Sequence, residues 1–382
     1  MKIWMRSEMF DPHTPAVIFD NGSGLFKAGL SSDTAPRSVI SSVIGRPRSD
    51  HSLVEASRRQ YYVGEEAQAL RGILNLTYPI EHGIVTSWSD MEKIWQHMYN
   101  CELHIQSSEM PLLLTEPPLN PTNNREMMAE VMFESFSVPA MYVALQSTLS
   151  LYASGRTSGL VMDIGDGVTN TFPIFEGFHL HHAGNRLNVA GRDITEYFTR
   201  LLTETGLSFV SSSEKETART MKENLCYVAL DPKEEMGKDP DSCLAKYTLP
   251  DGKVITVGDQ RFRAPEILFT PSKNGVEAPG VHTMIYNSIL SCNLDIRRPL
   301  FENILLSGGS TLFQGFEDRV HSEVTTLAPE TVKVKVIAPS DREIAAWIGG
   351  AVLTNLESFK DMWITAMDYK EHGVTIVHQK GA

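Results

Sequence analysis

Asp20-Asn21-Gly22-Ser23-Gly24-Leu25-Phe26-Lys27 and Asp163-Ile164-Gly165-Asp166-Gly167-Val168-Thr169 stand 143 residues apart and are built alike. Each follows an apolar run, Ala16-Val17-Ile18-Phe19 or Gly159-Leu160-Val161-Met162, and each leads into further apolar residues. This reads as strand, tight turn, strand, made twice. Glycines let a turn backbone approach an anion, so successive N–H groups can donate to phosphate oxygens. Aspartates at strand ends can hold a hydrated divalent cation against those phosphates. Two such hairpins at matching places predict a duplicated fold that grips a nucleotide phosphate tail from both sides.

A chain of 382 residues can bury a large core and favours two or more domains. Its 21% charged and 42% hydrophobic residues suit a globular protein, and a net charge of −13 argues against nonspecific nucleic-acid binding. No apolar run approaches the roughly 20 residues of a membrane span, and residues 1–15 lack the apolar stretch of a signal peptide. Cys101, Cys226, Cys243 and Cys292 have no CxxC spacing, so neither a zinc site nor a disulfide scaffold is expected, and a reducing cytosolic or nuclear compartment fits.

Helical and strand signals alternate, which predicts an α/β architecture. Helices are expected over 92–104, 122–136, 144–153, 193–205 and 213–227, with irregular surface insertions at 48–60 and 232–245. A third glycine cluster, Ser307-Gly308-Gly309-Ser310-Thr311, follows the strand-like Asn303-Ile304-Leu305-Leu306. Alone it could be a helix entry; beside two phosphate hairpins it reads as a turn that lets a nucleoside lie against backbone.

From these residues outward the chain resembles the actin family over nearly its whole length. The strings that carry the resemblance are the first hairpin, Tyr78-Pro79-Ile80-Glu81-His82-Gly83-Ile84, Ala190-Gly191-Arg192-Asp193, Leu225-Cys226-Tyr227-Val228-Ala229-Leu230, Ala346-Trp347-Ile348-Gly349-Gly350 and Met362-Trp363-Ile364-Thr365. The departures mark it as similar to a divergent actin or actin-related protein, and Met9-Phe10-Asp11-Pro12-His13 resembles the testis-type members. The resemblance implies an actin-like ATPase fold of two similar lobes, four subdomains in all, around a central nucleotide cleft. It implies subdomain 1 at 1–41, 79–153 and 345–382, subdomain 2 at 42–78, subdomain 3 at 154–189 and 277–344, and subdomain 4 at 190–276.

ATP or ADP with Mg²⁺ or Ca²⁺ is the implied cofactor. Carried across by motif, Ser23, Gly24, Leu25 and Lys27 would contact phosphates from one lobe and Asp166, Gly167 and Val168 from the other. Asp20 and Asp163 would hold the metal through water, with Gln146, Asp163 and Asn170 beside the attacking water. Arg219, Lys222 and Glu223 would line the nucleoside pocket opposite Gly308, Gly309, Ser310, Leu312 and Phe313. By itself a Lys-Glu pair such as Lys222/Glu223 reads as a solvated helix face. Lys27 suits a β/γ-phosphate as a point charge, and Gln146 can orient water without being a strong base. The resemblance also marks His82 as a methylation position.

Four departures carry chemistry. Ile164 replaces a serine near the γ-phosphate, and Asn170 replaces a histidine near the attacking water, where an amide cannot take a proton. Glu343 replaces a lysine bordering the base, a reversal expected to weaken nucleotide retention. The fourth is the polymer surface: residues 49–60 bring Glu55, Arg58 and Arg59 into the subunit-binding loop, Lys273-Asn274 replaces an apolar tip, and the terminus 377–382 lacks the closing cysteine and aromatic. Lys2, Trp4, Arg6 and Phe10 stand where a short acidic tail is usual. Tyr152, Ala153, Gly155, Thr157, Ile348, Val352, Leu353 and Leu356 match a groove that accepts an amphipathic helix.

The function expected is that of an ATP-binding cytoskeletal protein with slow hydrolysis at most, assembling with actin or other actin-like subunits and with groove-binding proteins. No nucleic-acid or membrane partner is expected. The location expected is cytoplasmic and cytoskeletal, with a nuclear assembly as the other setting. The alternatives are a conventional polymerising ATPase, a nuclear actin-related subunit, or a small-molecule kinase of the same superfamily, which would need a substrate pocket with a carboxylate facing the γ-phosphate.

Overall fold

The computed structural model describes residues 11–48 and 59–380. Ten strands in two sheets repeat one pattern. In chain order they are β1 (Val17–Asn21), β2 (Leu25–Leu30), β3 (Ser38–Ser41), β4 (Leu112–Glu116), β5 (Ala140–Leu145), β6 (Gly159–Ile164), β7 (Thr169–Phe175), β8 (Phe178–His179), β9 (Ile304–Ser307) and β10 (Val336–Ile337). The first sheet runs β5-β4-β1-β2-β3, with the short strand Ile364–Thr365 added outside β5, and the second β10-β9-β6-β7-β8, with Asn185–Leu187 also paired to β7. In each, three parallel strands lead to the glycine hairpin, which continues antiparallel. Strands covered on both faces need near-continuous apolar sequence. β1, β4 and β5 are accordingly buried at every residue. The duplication expected from the two hairpins is present, and the α/β class with it.

Each sheet has its own core. Phe19, Phe26, Trp95 and Tyr99 anchor the first, and Phe172, Phe198, Phe301 and Phe316 lie fully buried around the second. The chain passes between the sheets through helix α1 (Gln146–Ala153) and returns into helix α2 (Ala345–Thr354). A Cβ on Gly349 of α2 would lie 1.8 Å from the Leu149 carbonyl oxygen of α1, so these two helices touch backbone to backbone. Only glycine permits that approach.

The local expectations hold with shifted ends. The helix over 92–104 is Trp88–His97 followed by a π-type stretch, Met98–Leu103, and that over 122–136 is Thr122–Glu130 followed by Val131–Ser135. Ala144 and Leu145, read as helix, finish β5 instead, because the sheet claims their backbone pairs with Thr115 and Glu116. The helix expected over 193–205 is Gly191–Thr203 and that over 213–227 is Ser212–Leu225. In the latter, Ser211 accepts from the Glu214 N–H while Glu214 accepts from the Ser211 N–H, a reciprocal cap. The stretch 232–245 carries a short exposed helix, Pro232–Met236. Ile44–Pro47, Tyr62–Val63 and Leu74–Thr77 add a small three-stranded sheet, and Ala245–Thr248 with Val254–Val257 a two-stranded one.

Candidate functional site

The two hairpins face each other across a cavity of about 790 Å³, a volume within the usual range for a small-molecule site. Asp20, Ser23, Gly24, Leu25, Lys27 and Gln146 reach it from the first lobe, and Asp163, Asp166, Gly167 and Val168 from the second. Arg219, Lys222 and Glu223 line another wall, and Gly308, Gly309, Ser310, Leu312 and Phe313 a further one. Glu343 lies on it too. Seven Lys/Arg and seven Asp/Glu line the cavity, so it is formally neutral in a chain of net charge −13 and is the less hostile place for an anion.

At the first hairpin Asp20 pairs across the strands with Lys27. Lys27 Nζ donates to its Oδ2 at 2.8 Å, while Thr115 Oγ1 (2.7 Å) and Gln146 Nε2 (3.0 Å) donate to Oδ1. Burial would raise the Asp20 carboxyl, but Lys27 and the two further donors outweigh it and hold the group below its ordinary range. Gln146 sits there because β5 ends at Leu145 and α1 begins at once, aiming its first side chain back along the sheet edge.

At the second hairpin the strand partner of Asp163 is Asn170, not a lysine. Burial, then the Asp20 charge, push the Asp163 carboxyl up to about 6 against the opposing Ser307 hydroxyl and Lys27. Asn170 does not reach the cavity wall: it is 1% exposed, and among the described residues neither its Oδ1 nor its Nδ2 has a hydrogen-bond partner. Ile164 is fully buried in the second core, on the strand face opposite Asp163. A serine at that position would point into the core, so the sequence-based expectation that Ile164 removes a hydroxyl from beside the phosphates does not fit its placement.

The glycines have a second duty that their sequence did not reveal. A Cβ on Gly24 would lie 2.7 Å from the Asp166 Cβ, and one on Gly167 2.6 Å from the Ser23 Oγ, so the hairpins of the two lobes approach each other through them. Around that contact Arg192 Nη2 donates to Asp166 Oδ2 (3.0 Å) and to the Ser23 carbonyl (3.2 Å), and the Gly83 N–H donates to Ser23 Oγ (3.0 Å). Gly308, at φ +86°, would put a Cβ 2.3 Å from the Ile164 carbonyl, and Ser310 Oγ donates to the Gly165 carbonyl at 2.7 Å. The third glycine turn is thereby seated directly on the second hairpin.

Lys222 is not a solvated helix residue. It is 4% exposed and donates to the Gly191 carbonyl at 2.8 Å, and burial holds its ammonium below the ordinary lysine range. Arg219 is paired with Glu216 and Glu223. Arg192 and Ser307 on the wall, and Thr115 buried behind Asp20, were assigned no chemistry of their own from the sequence and complete the site. Gly191-Arg192-Asp193 at a helix entry was the available signal for Arg192.

Among the described residues no group of three or more His, Cys, Asp and Glu could hold a metal ion by itself. The donor set suits a hard cation that keeps most of its waters and takes phosphate oxygens, since Asp20 and Asp163 come from opposite lobes. The glycine cradle and these carboxylates fit a nucleotide–cation pair.

The family model for actin matches residues 11–382. The chain belongs to the actin family. Members of the family bind a nucleotide with a divalent cation, and this actin-family chain has the fold for that function. No helix among its described residues is long and apolar enough to cross a membrane.

Away from the cavity, Tyr152, Ile348 and Leu353 are half-buried and Val352 and Leu356 exposed, on or just after the crossing helices, with Gly155 and Thr157 exposed beside them. Lys273 is exposed and Asn274 accepts from Arg200 in the turn Pro271–Asn274. Lys2, Trp4, Arg6, Met9, Phe10, Glu55 and Arg58 lie outside the described residues, as do residues 381–382. Arg59 pairs with Glu66 at 3.0 Å.

Proposed function

We propose that this chain binds ATP or ADP with Mg²⁺ or Ca²⁺ in the cavity between the lobes and hydrolyses ATP slowly at most. The single observation that supports this most is the pair of matching hairpins converging on one cavity from two sheets of the same order. Ser23, Gly24, Leu25 and Lys27 would hold the phosphate tail on one side and Asp166, Gly167 and Val168 on the other. Arg219, Lys222, Glu223, Gly308, Gly309, Ser310, Leu312 and Phe313 would enclose the nucleoside. Asp20 and Asp163 would hold the cation through its waters. The cation, when bound, supplies charge neutralisation at the phosphate oxygens.

Gln146 is suited to orienting water: its amide nitrogen is fixed by Asp20 and Thr115, which leaves its amide oxygen to accept from a water proton. No group beside it is a strong base. Asn170 cannot accept a proton near neutral pH, so positioning supplies most of the rate. Nucleotide-stripped, folded protein should melt at a higher temperature when ATP and Mg²⁺ are added. No nucleotide-dependent shift would overturn the reading.

The four-part division stated above, 1–41 with 79–153 and 345–382, 42–78, 154–189 with 277–344, and 190–276, is part of this proposal. So is a cytoplasmic, cytoskeletal role in assembly with actin-like subunits, with the groove at Tyr152, Thr157, Ile348 and Leu353 receiving a partner's helix. Lys273 and Asn274 favour co-assembly over self-assembly, because a polar tip contributes little apolar contact to a repeated interface. Long regular filaments of the purified chain, seen by sedimentation and imaging, would contradict that preference.

A further inference from the structure

Across the outer mouth of the cleft, Arg71 Nε donates to Ser213 Oγ at 3.2 Å. Among the described residues this is the one hydrogen bond that joins residues 42–78 to residues 190–276. Arg71 Nη1 is spent on the Gln68 carbonyl (3.0 Å), while Nη2 donates to no described residue. A second cross-mouth contact is the Arg192 guanidinium over the Tyr78 ring, 4.7 Å from its centroid. Ser213 belongs to the run Ser211-Ser212-Ser213-Glu214-Lys215-Glu216. Its neighbours are otherwise engaged: the Ser211 hydroxyl caps the helix through Glu214, and Ser212 faces the cavity. Glu214 and Glu216 follow Ser213 at +1 and +3, the acidic context that acidophilic serine/threonine kinases read.

We propose that Ser213 is a phosphorylation site and that Arg71 holds the phosphate from the opposite lobe, latching the nucleotide cleft shut. The inference rests on the nucleotide reading of that cleft. In the modification, Ser213 Oγ attacks the γ-phosphorus of a kinase-bound ATP. The new O–P bond forms as the bond to ADP breaks, and the hydroxyl proton passes to the kinase or to solvent. A single bond from a guanidinium to a neutral hydroxyl then becomes an ion pair between a dianion and a guanidinium with an unused donor. The phosphate also sits in the first turn of a 14-residue helix, whose N-terminal end favours negative charge. Glu214 and Glu216 oppose it, but Glu216 is already paired with Arg219 and Glu214 with Ser211. Ser213 is half-buried with its hydroxyl engaged, so a kinase reaches it when the mouth is open, and the product favours the closed state.

The test treats the purified full chain with an acidophilic serine/threonine kinase and ATP and maps the phosphate by mass spectrometry. Release of a preloaded fluorescent ATP analogue is then followed after a chase with unlabelled ATP. Hydrogen exchange of residues 64–77 and 212–225 is measured with and without nucleotide. Release should slow about tenfold, equivalent to roughly 1.4 kcal/mol, and both segments should gain protection. Phosphorylated Arg71→Gln should show neither effect. Failure of the folded chain to take phosphate at Ser213, unchanged protection, or equal slowing in Arg71→Gln would overturn the latch. Protection that rises at both walls in a protein that retains no nucleotide supports the latch and removes the nucleotide reading instead.

Discussion

Asp20 and Asp163 occupy the same place in two copies of one strand pattern, and their electrostatics are opposite. Asp20 faces Lys27 across its hairpin and is held in the charged form by that ammonium, Thr115 and Gln146. Asp163 faces Asn170 and is pushed up to about 6. Burial raises both carboxyls; Asp20 meets Lys27 across its hairpin together with Thr115 and Gln146, whereas Asp163 meets Asn170 and has the Asp20 charge against it, so one is held as an anion and the other titrates. Duplication supplied the geometry twice, and the surroundings of each aspartate divided the labour.

The largest expected effect separates the two carboxylates. Asp20→Asn leaves Lys27 without its partner and should destabilise the nucleotide-free protein by about 2–3 kcal/mol, less than a dry buried pair because Lys27 keeps access to the cavity. Asp163→Asn should do the reverse and stabilise it at pH 8, by roughly 1–2 kcal/mol after allowance for the cavity's water. The sign follows from linkage. The folded pKa of Asp163 lies above the unfolded value of 3.8, so its favourable contribution is complete below that value and is lost as pH rises through about 6. Asp20 is depressed, so its contribution is present above the unfolded value and is lost as pH falls through the lowered one. Thermal melting of both variants from pH 5 to 8 checks this; two shifts of the same sign at pH 8 would break the contrast.

The hairpin contact itself gives the next effect. Gly24→Ala and Gly167→Ala should pry the lobes apart and weaken nucleotide affinity about tenfold, roughly 1.4 kcal/mol. Gly72→Ala, away from the cavity lining and with a Cβ that would meet nothing within 4 Å, should cost little by comparison. Equal affinities across the three in a titration would mean that the approach of the hairpins is incidental.

How much of this was legible in the sequence differs between the two halves of the site. The hairpins were legible because aspartate, glycines and flanking apolar runs are local signals, and a turn's chemistry is set by its own residues. The side of the sheet on which Ile164 lies is also legible, from strand parity relative to Asp163. The contacts between lobes were not legible. Gly24 against Asp166, Arg192 against Ser23 and Arg71 against Ser213 join residues more than 140 apart, and nothing in either segment announces the other. Asn170 falls between these cases. Its pairing with Asp163 follows from the hairpin, but its burial depends on what packs over it.

The smallest effect concerns that residue. Asn170→His would put a group able to take a proton behind Asp163, where two amide atoms now have no partner. Single-turnover phosphate release should quicken about three- to tenfold. A wild-type rate unchanged by the substitution would make Asn170 a packing residue only.

The most direct measurement is calorimetric titration of nucleotide-stripped protein with ATP and Mg²⁺ at pH 6, repeated in buffers of different ionisation enthalpy. Near its own pKa of about 6, Asp163 carries a proton in about half the molecules, and a cation bound beside it must displace that proton. Binding should release about half a proton per site in the wild type and markedly less in Asp163→Asn. Binding with no difference in proton release between the two would remove Asp163 from the site, and no binding heat in any buffer would contradict a nucleotide held between the paired hairpins.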